Sequence, residues 1–222
     1  MMSLFDARFY DLAVHSLENG DSTTRFAFEA KRYGYSGIAI INPELNNLDQ
    51  VRKPDGFMIY PCIEISAVPG KIRNEIKKYG SSILMVRGGG EDLNRAAVEA
   101  EGLDILMQPA KFNNVLAKAA EDTSVALGFN TGTIIRMRGE VRVRELRIMK
   151  TNLMYARKYG LRMILTGEPS SLYDLRSPRD MAALAGLFGM TEKEAVDAMR
   201  MAPLEILRKK SRDYIQEGVE IL

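Results

Sequence analysis

Apolar residues along this chain gather into short runs that do not alternate with polar ones: YDLAV (10–14), SGIAII (36–41), FMIYPCIEI (57–65), SILMV (82–86), DILM (104–107), VALGF (125–129) and RMILT (162–166). A strand with one wet face alternates apolar and polar positions, whereas a parallel strand covered on both faces does not. Between the runs, amphipathic spacing predicts helices near 22–33, 43–52, 70–79, 91–101, 112–122, 141–159 and 178–188. Helical TEKEAVDAMR and APLEILRKKSRDYIQ follow them.

The punctuation supports this alternation. KRYG, KKYG and RKYG end at Gly34, Gly80 and Gly160, each putting basic residues in a last helical turn and a glycine after it. Helix starts are signalled by Asn42 before Pro43, by Ser177 before Pro178 with Asp180 three residues on, and by Thr191 with Glu194. Seven closely spaced strand–helix units favour an α/β fold of one domain over residues 1–222. The expected form is a single (β/α) TIM-like barrel with a missing or irregular eighth strand plus C-terminal helices, in preference to an open doubly wound sheet.

A barrel places function on the loops after its strands. Here these are HSLENGDS, NPELNN, SAVPG, RGGGEDLNR, QPAKFNN, NTGTIIRMRGE and GEPSSLYDLRSPRD, which carry Arg87, Arg95, Asn130, Arg136, Arg138, Arg176 and Arg179.

Composition narrows the classes. With 222 residues, 46% of them hydrophobic, the chain can bury a full core. Its apolar runs fall far short of the roughly 20 residues of a membrane span. The acids in MMSLFDARFYDL break any secretory signal, so a cytoplasmic protein is expected. One cysteine, Cys62, excludes an internal disulfide and a multi-cysteine zinc site, and reads as a small buried hydrophobe. Charge is balanced at 31 basic against 29 acidic residues, so a polyanion partner would have to be met by local clusters. Such clusters exist in RMRGEVRVRELR (136–147) and in RKKSR (208–212) on the expected last helix.

Catalytic constellations are sparse. His15 is the sole histidine, so no His-x-His metal pair is available. Asp11, Glu64, Glu168 and Asp174 could support a weak magnesium site, although no spacing demands one. No Gly-x-Ser-x-Gly elbow is present. RGGGEDLNR lacks Gly-x-Gly-x-x-Gly and a Walker lysine, and Glu91 with Asp92 in its first helical turn would repel an anion, so its glycines read as a tight strand-to-helix turn. Arg87 and Arg95 can reach past that turn and fork onto phosphate oxygens. In SLYDLRSPRD, Arg176 and Arg179 flank a helix start beside Tyr173, which suits either a capped loop or phosphate contact.

YDLAVHS, YGYSGIAI, CIEI, VRGGGEDLNRAAVE, DILMQP, NLMYARKYG and SSLYDLRSPRDMAAL occur in this order, and together they resemble the TIM-barrel protein of archaeal ribonuclease P, component 3, over about residues 8–207. Its eukaryotic counterpart is the barrel subunit shared by ribonucleases P and MRP. The resemblance implies a protein subunit of the ribonucleoprotein that removes the 5′ leader of precursor tRNA. It further implies that a magnesium-dependent RNA subunit performs the chemistry, that an RRM-like partner, component 2, joins this barrel beside other protein components, and that the chain itself needs no cofactor and no catalytic residue. A more distant likeness to metal barrels of the polymerase-and-histidinol-phosphatase type leaves a stand-alone phosphoesterase built on Asp11, His15, Glu64 and Glu168 as the alternative. On the ribonuclease P reading, Arg87, Arg95, Arg176 and Arg179 contact RNA, with Arg138 and Arg142 as a secondary patch. Pairing of these arginines with acids of component 2 is the competing role.

Overall fold

The computed structural model describes residues 7–15, 22–43, 48, 50–210, 214–216 and 219–220. Seven parallel strands in chain order form one sheet: β1 (Phe9–His15), β2 (Tyr35–Ile41), β3 (Met58–Glu64), β4 (Ile83–Arg87), β5 (Ile105–Met107), β6 (Ala126–Asn130) and β7 (Met163–Thr166). The intervening helices are α1 (Thr23–Arg32), α2 (Ile72–Lys78), α3 (Glu91–Val98), α4 (Asn114–Thr123), α5 (Thr131–Arg136) and α6 (Gly139–Tyr159). After β7 come α7 (Pro178–Gly186), α8 (Glu192–Met199) and α9 (Met201–Lys209). No helix among the described residues is long and apolar enough to cross a membrane.

Sequential parallel pairing curls the sheet into a barrel that is closed except between β7 and β1, and among the described residues no eighth strand fills that seam. Side chains stitch that seam. Buried Asp11 accepts a hydrogen bond from the Thr166 hydroxyl and one from Gly167 N–H at 3.2 Å, and His15 N–H donates to the Pro169 carbonyl at 3.0 Å. One strand face and the other build separate cores. Ala39, Cys62, Met85, Ile105, Met107 and Ala126 belong to a cluster with Ala202, Ile206 and Leu207 of α9, so α9 plugs the barrel interior. Ile38, Ile40, Leu84, Leu106 and Phe129 pack outward with the surrounding helices. Lys210 following α9 pairs with Asp104, just before β5, at 2.9 Å, which places the plug at the strands' N-terminal end and leaves the C-terminal end as the mouth.

Several local expectations need correction. Gly34 and Gly160 take positive φ, 99° and 62°, as helix-ending glycines, but Gly80 does not; α2 stops at Tyr79 with φ −124°. NTGTIIRMRGE is not an open loop, since Asn130 caps α5 by accepting from Thr133 N–H. The last helix ends at Lys209, and Tyr214–Gln216 with Val219–Glu220 form a two-stranded antiparallel ribbon in place of its expected continuation. Half of the helix expected over 43–52 lies outside the described residues, and residues 51–54 are not helical. Asn42, read as its cap, has φ 47° and accepts from Glu64 N–H at 2.8 Å. The capping boxes Ser177/Asp180 and Thr191/Glu194 form as expected.

Candidate functional site

Each strand delivers its last residue to the mouth. Glu64 ends β3, Arg87 ends β4, Asn130 ends β6, and Glu168 follows β7. Arg87 has a parallel, two-pronged contact with Glu64, Nε to Oε1 at 2.8 Å and Nη2 to Oε2 at 2.9 Å. Its third nitrogen, Nη1, lies 3.1 Å from both carboxylate oxygens of Glu168. Asn130 Nδ2 also donates to Glu168, and His15 Nε2 stands 3.9 Å from it, an ion pair only when the imidazole is protonated. The guanidinium therefore bridges two carboxylates with all its nitrogens engaged.

This arrangement sets the charge states. Burial pushes the Glu168 carboxyl up, but His15 and Arg87 more than reverse the effect and leave it below the usual carboxylate range. Burial likewise disfavours the Arg87 charge, and hydrogen bonds and attraction from Glu64 and Glu168 outweigh it, holding the guanidinium above its ordinary range. Asp11 behaves oppositely: enclosure dominates over its hydrogen bonds from Thr166, Ala13 and Gly167 and raises it to about 6. Glu168 sits at φ 42°, and Asn42 and Gln108, after β2 and β5, are also left-handed at 47° and 45°. Such backbone conformations cost of order 1 kcal/mol or more each outside glycine and persist where side-chain bonds hold them. Asn42 and Gln108 show the bonds that do so: their amide oxygens accept from Glu64 N–H at 2.8 Å and Asn130 N–H at 2.7 Å, each on the next strand.

The carboxylates of the metal-barrel alternative are thus committed elsewhere. Arg87 lies between Glu64 and Glu168, and Asp11 is turned to the seam. Among the described residues no group of three or more His, Cys, Asp or Glu side chains could hold a metal ion.

The glycine loop is a turn of close approach. A Cβ at Gly88 would lie 2.4 Å from Pro109 Cα, whereas one at Gly90 would meet nothing within 4 Å. Asn94, fully buried on α3, anchors the loop by accepting from Gly89 N–H at 2.8 Å and donating to the carbonyls of Gly89 and Lys111.

The other predicted arginines lie outside the mouth network. Arg95 on α3 reaches Glu91 at 3.3 Å and Glu99 at 4.0 Å, one helical turn away on either side. Arg142 donates from Nε to the Met137 carbonyl at 2.7 Å. Arg176 Nη1 bonds the carbonyls of Tyr173 and Leu175, both at 2.7 Å, beside a recess of about 610 Å³ shared with Ile135 and Leu187. Arg179 is exposed in the first turn of α7, and Tyr173 is 89% exposed. Arg138 is exposed at the N-cap of α6. Gln108, Thr166 and the pairing of Arg87 with both glutamates escaped sequence reasoning, because they join residues far apart in the chain and no local pattern marks them.

Comparison with known proteins agrees with this geometry. The profile described as RNase P subunit p30 matches residues 8–214. The chain is 39% identical to Ribonuclease P protein component 3 of Methanosarcina acetivorans, over 97% of this chain and 96% of that protein. It is 39% identical to the protein of that name from Methanococcoides burtonii, over 96% and 93%. In structure it is similar, with a TM-score of 0.78 and 21% identity, to a chain of an archaeal ribonuclease P solved by cryo-EM with mature tRNA, covering 95% of this chain and 97% of that one. The chain belongs to the RNase P subunit p30 family.

Proposed function

We propose that this chain is a protein subunit of ribonuclease P, the ribonucleoprotein that removes the 5′ leader of precursor tRNA. The observation that carries the reading is the family match over nearly the whole barrel, joined to a mouth where a guanidinium occupies the space between the carboxylates. Among the described residues Glu64 and Glu168 are held by Arg87 and Asp11 by Thr166, which does not leave these carboxylates poised as the base that hydrolysis by the chain alone would need. On this reading cleavage would belong to the RNA subunit, where magnesium would supply the activated water and charge neutralisation.

The protein contributes binding. Arg87, Arg95, Arg176 and Arg179, with Arg138 and Arg142 as a secondary patch, are assigned to the RNA backbone or to shaping its fold. In this division Arg87 acts through the mouth it holds together. Phosphate contacts give affinity and salt dependence with little base readout. The RRM-like component 2 is the expected neighbour, alongside the other protein components, with precursor tRNA present in the holoenzyme. The test is incorporation of the full chain into particles assembled on cognate ribonuclease P RNA. Retention at low salt and release at high salt support the reading, and exclusion from the particle at every salt concentration contradicts it.

A further inference from the structure

We infer that the exposed face of α6, carrying Arg144, Arg147 and Lys150, is a phosphodiester-binding surface of this protein; the inference deepens the ribonuclease P reading and rests on it. The distinction comes from what each cation already holds. Arg87 is bonded to Glu64 and Glu168, Arg95 to Glu91, Arg157 to Glu194, and Arg142 and Arg176 to backbone carbonyls. The side chains of Arg144, Arg147 and Lys150 are exposed, and among the described residues these side chains make no hydrogen bond or ion pair. Arg138 at the start of the same helix shares that condition. An arginine that has not spent its fork internally retains its full capacity for two-pronged phosphate binding.

Placement reinforces the chemistry. Residues three apart on a helix lie on neighbouring parts of one face, so 144, 147 and 150 form an oblique positive stripe. The buried residues Met149, Asn152, Leu153 and Ala156 hold the opposite side against the barrel. Of the acids in this block, Glu145 is turned to Gln108, leaving Glu140 to offset the stripe. Arg138 to Lys150 spans about 18 Å at the helical rise. A recess of about 490 Å³ lined by Glu140, Val141, Val143, Arg144 and Arg147 gives the stripe a concave flank with two cations against one acid.

An acidic protein is the competing occupant. Exposed apolar residues on α6 are Val141, Val143 and Met154. Val143 and Met154 are separated by about 16 Å along the axis with the cations between them. The continuous feature is charge and not an apolar patch, which favours a polyanion with regularly spaced phosphates.

The test compares the full chain with a variant carrying Arg144→Gln, Arg147→Gln and Lys150→Gln, binding cognate ribonuclease P RNA in the presence of the remaining protein subunits. A control carries Arg32→Gln, Lys78→Gln and Lys118→Gln, whose cations are paired with Glu29, Glu75 and Glu121. Between about 50 and 200 mM salt, loss of three phosphate contacts makes the slope of log affinity against log salt shallower by about 2 to 3, and raises Kd at low salt on the order of 10²-fold. The control keeps the wild-type slope, and Arg144→Lys with Arg147→Lys restores most of it. The committed occupant is the ribonuclease P RNA, so a slope change seen only with precursor tRNA assayed alone overturns the inference. An unchanged slope overturns the inference, as does loss of a protein subunit from the particle with RNA affinity intact. If the wild-type chain fails to join the particle, the ribonuclease P reading falls first.

Discussion

Arg87 and Glu168, 81 residues apart in sequence, meet across the barrel mouth with Nη1 3.1 Å from each carboxylate oxygen. Glu168 is 4% exposed while Arg87 is 42% exposed, so the carboxylate depends on the guanidinium more than the reverse. Removing one partner of a fully buried pair costs about 3–5 kcal/mol. The solvent reaching Arg87 reduces this, and Arg87→Ala is expected to cost about 2 kcal/mol. For a chain of this size the melting temperature should fall by about 4–8 °C. Arg87→Lys should recover part of the loss, because it keeps the charge without the fork. A melting temperature within a degree of wild type for Arg87→Ala would show that the mouth network does not hold the barrel together.

The two buried acids near the seam respond to pH in opposite directions. Asp11 is raised from 3.8 to about 6, so the folded protein holds this proton more tightly than the unfolded chain. Between those values the folded state binds more protons, and the contribution of Asp11 to stability declines as pH rises from about 4 to about 6. Glu168 is lowered, so its contribution is present above the ordinary value of 4.5 and is lost as pH falls through the folded value. Carboxyl carbon shifts followed by NMR should give an Asp11 midpoint near 6. A midpoint at its ordinary 3.8 would mean that water reaches the seam.

The three glycines after β4 are not equivalent. Gly88→Ala would drive a methyl group to 2.4 Å from the Pro109 backbone, and neither strand end can yield without breaking the Gly88 N–H to Met107 carbonyl bond at 2.7 Å. A loss of about 2 kcal/mol or more is expected. Gly90 is the N-cap of α3 in an extended conformation without a side-chain cap, so Gly90→Ser should be neutral or stabilise by a few tenths of a kcal/mol. Chemical denaturation of both variants checks the contrast, and equal effects would refute it.

The fold was legible because both faces of every strand but the half-buried β3 are covered. Runs such as SGIAII and SILMV therefore contain no polar alternation, and seven strands emerge within a residue or two of where they lie. A missing or irregular eighth strand was also expected from the count of runs, and the seven-stranded sheet with its open seam agrees; the Asp11–Thr166 stitch across that seam was not expected. What sequence could not supply were relations across the barrel. Arg87 looked like a free reader of phosphate from its place beside three glycines, and its engagement emerges only when β3 and β7 bring Glu64 and Glu168 beside it. Helix α5 was hidden by Gly132 and two threonines, residues of poor helical propensity that the Asn130 cap nonetheless starts. Gly80 shows the reverse failure, a glycine placed like the others but not needed in a left-handed conformation.

The most direct test of the central claim is cleavage of precursor tRNA by cognate ribonuclease P RNA at limiting magnesium, with component 2 present and with or without this chain. Neutralised phosphates lower the magnesium that the RNA needs to fold. The account predicts that adding the chain stimulates 5′ leader removal and shifts the magnesium midpoint downward. No stimulation at any magnesium concentration, with phosphate-ester hydrolysis by the chain alone, would contradict it.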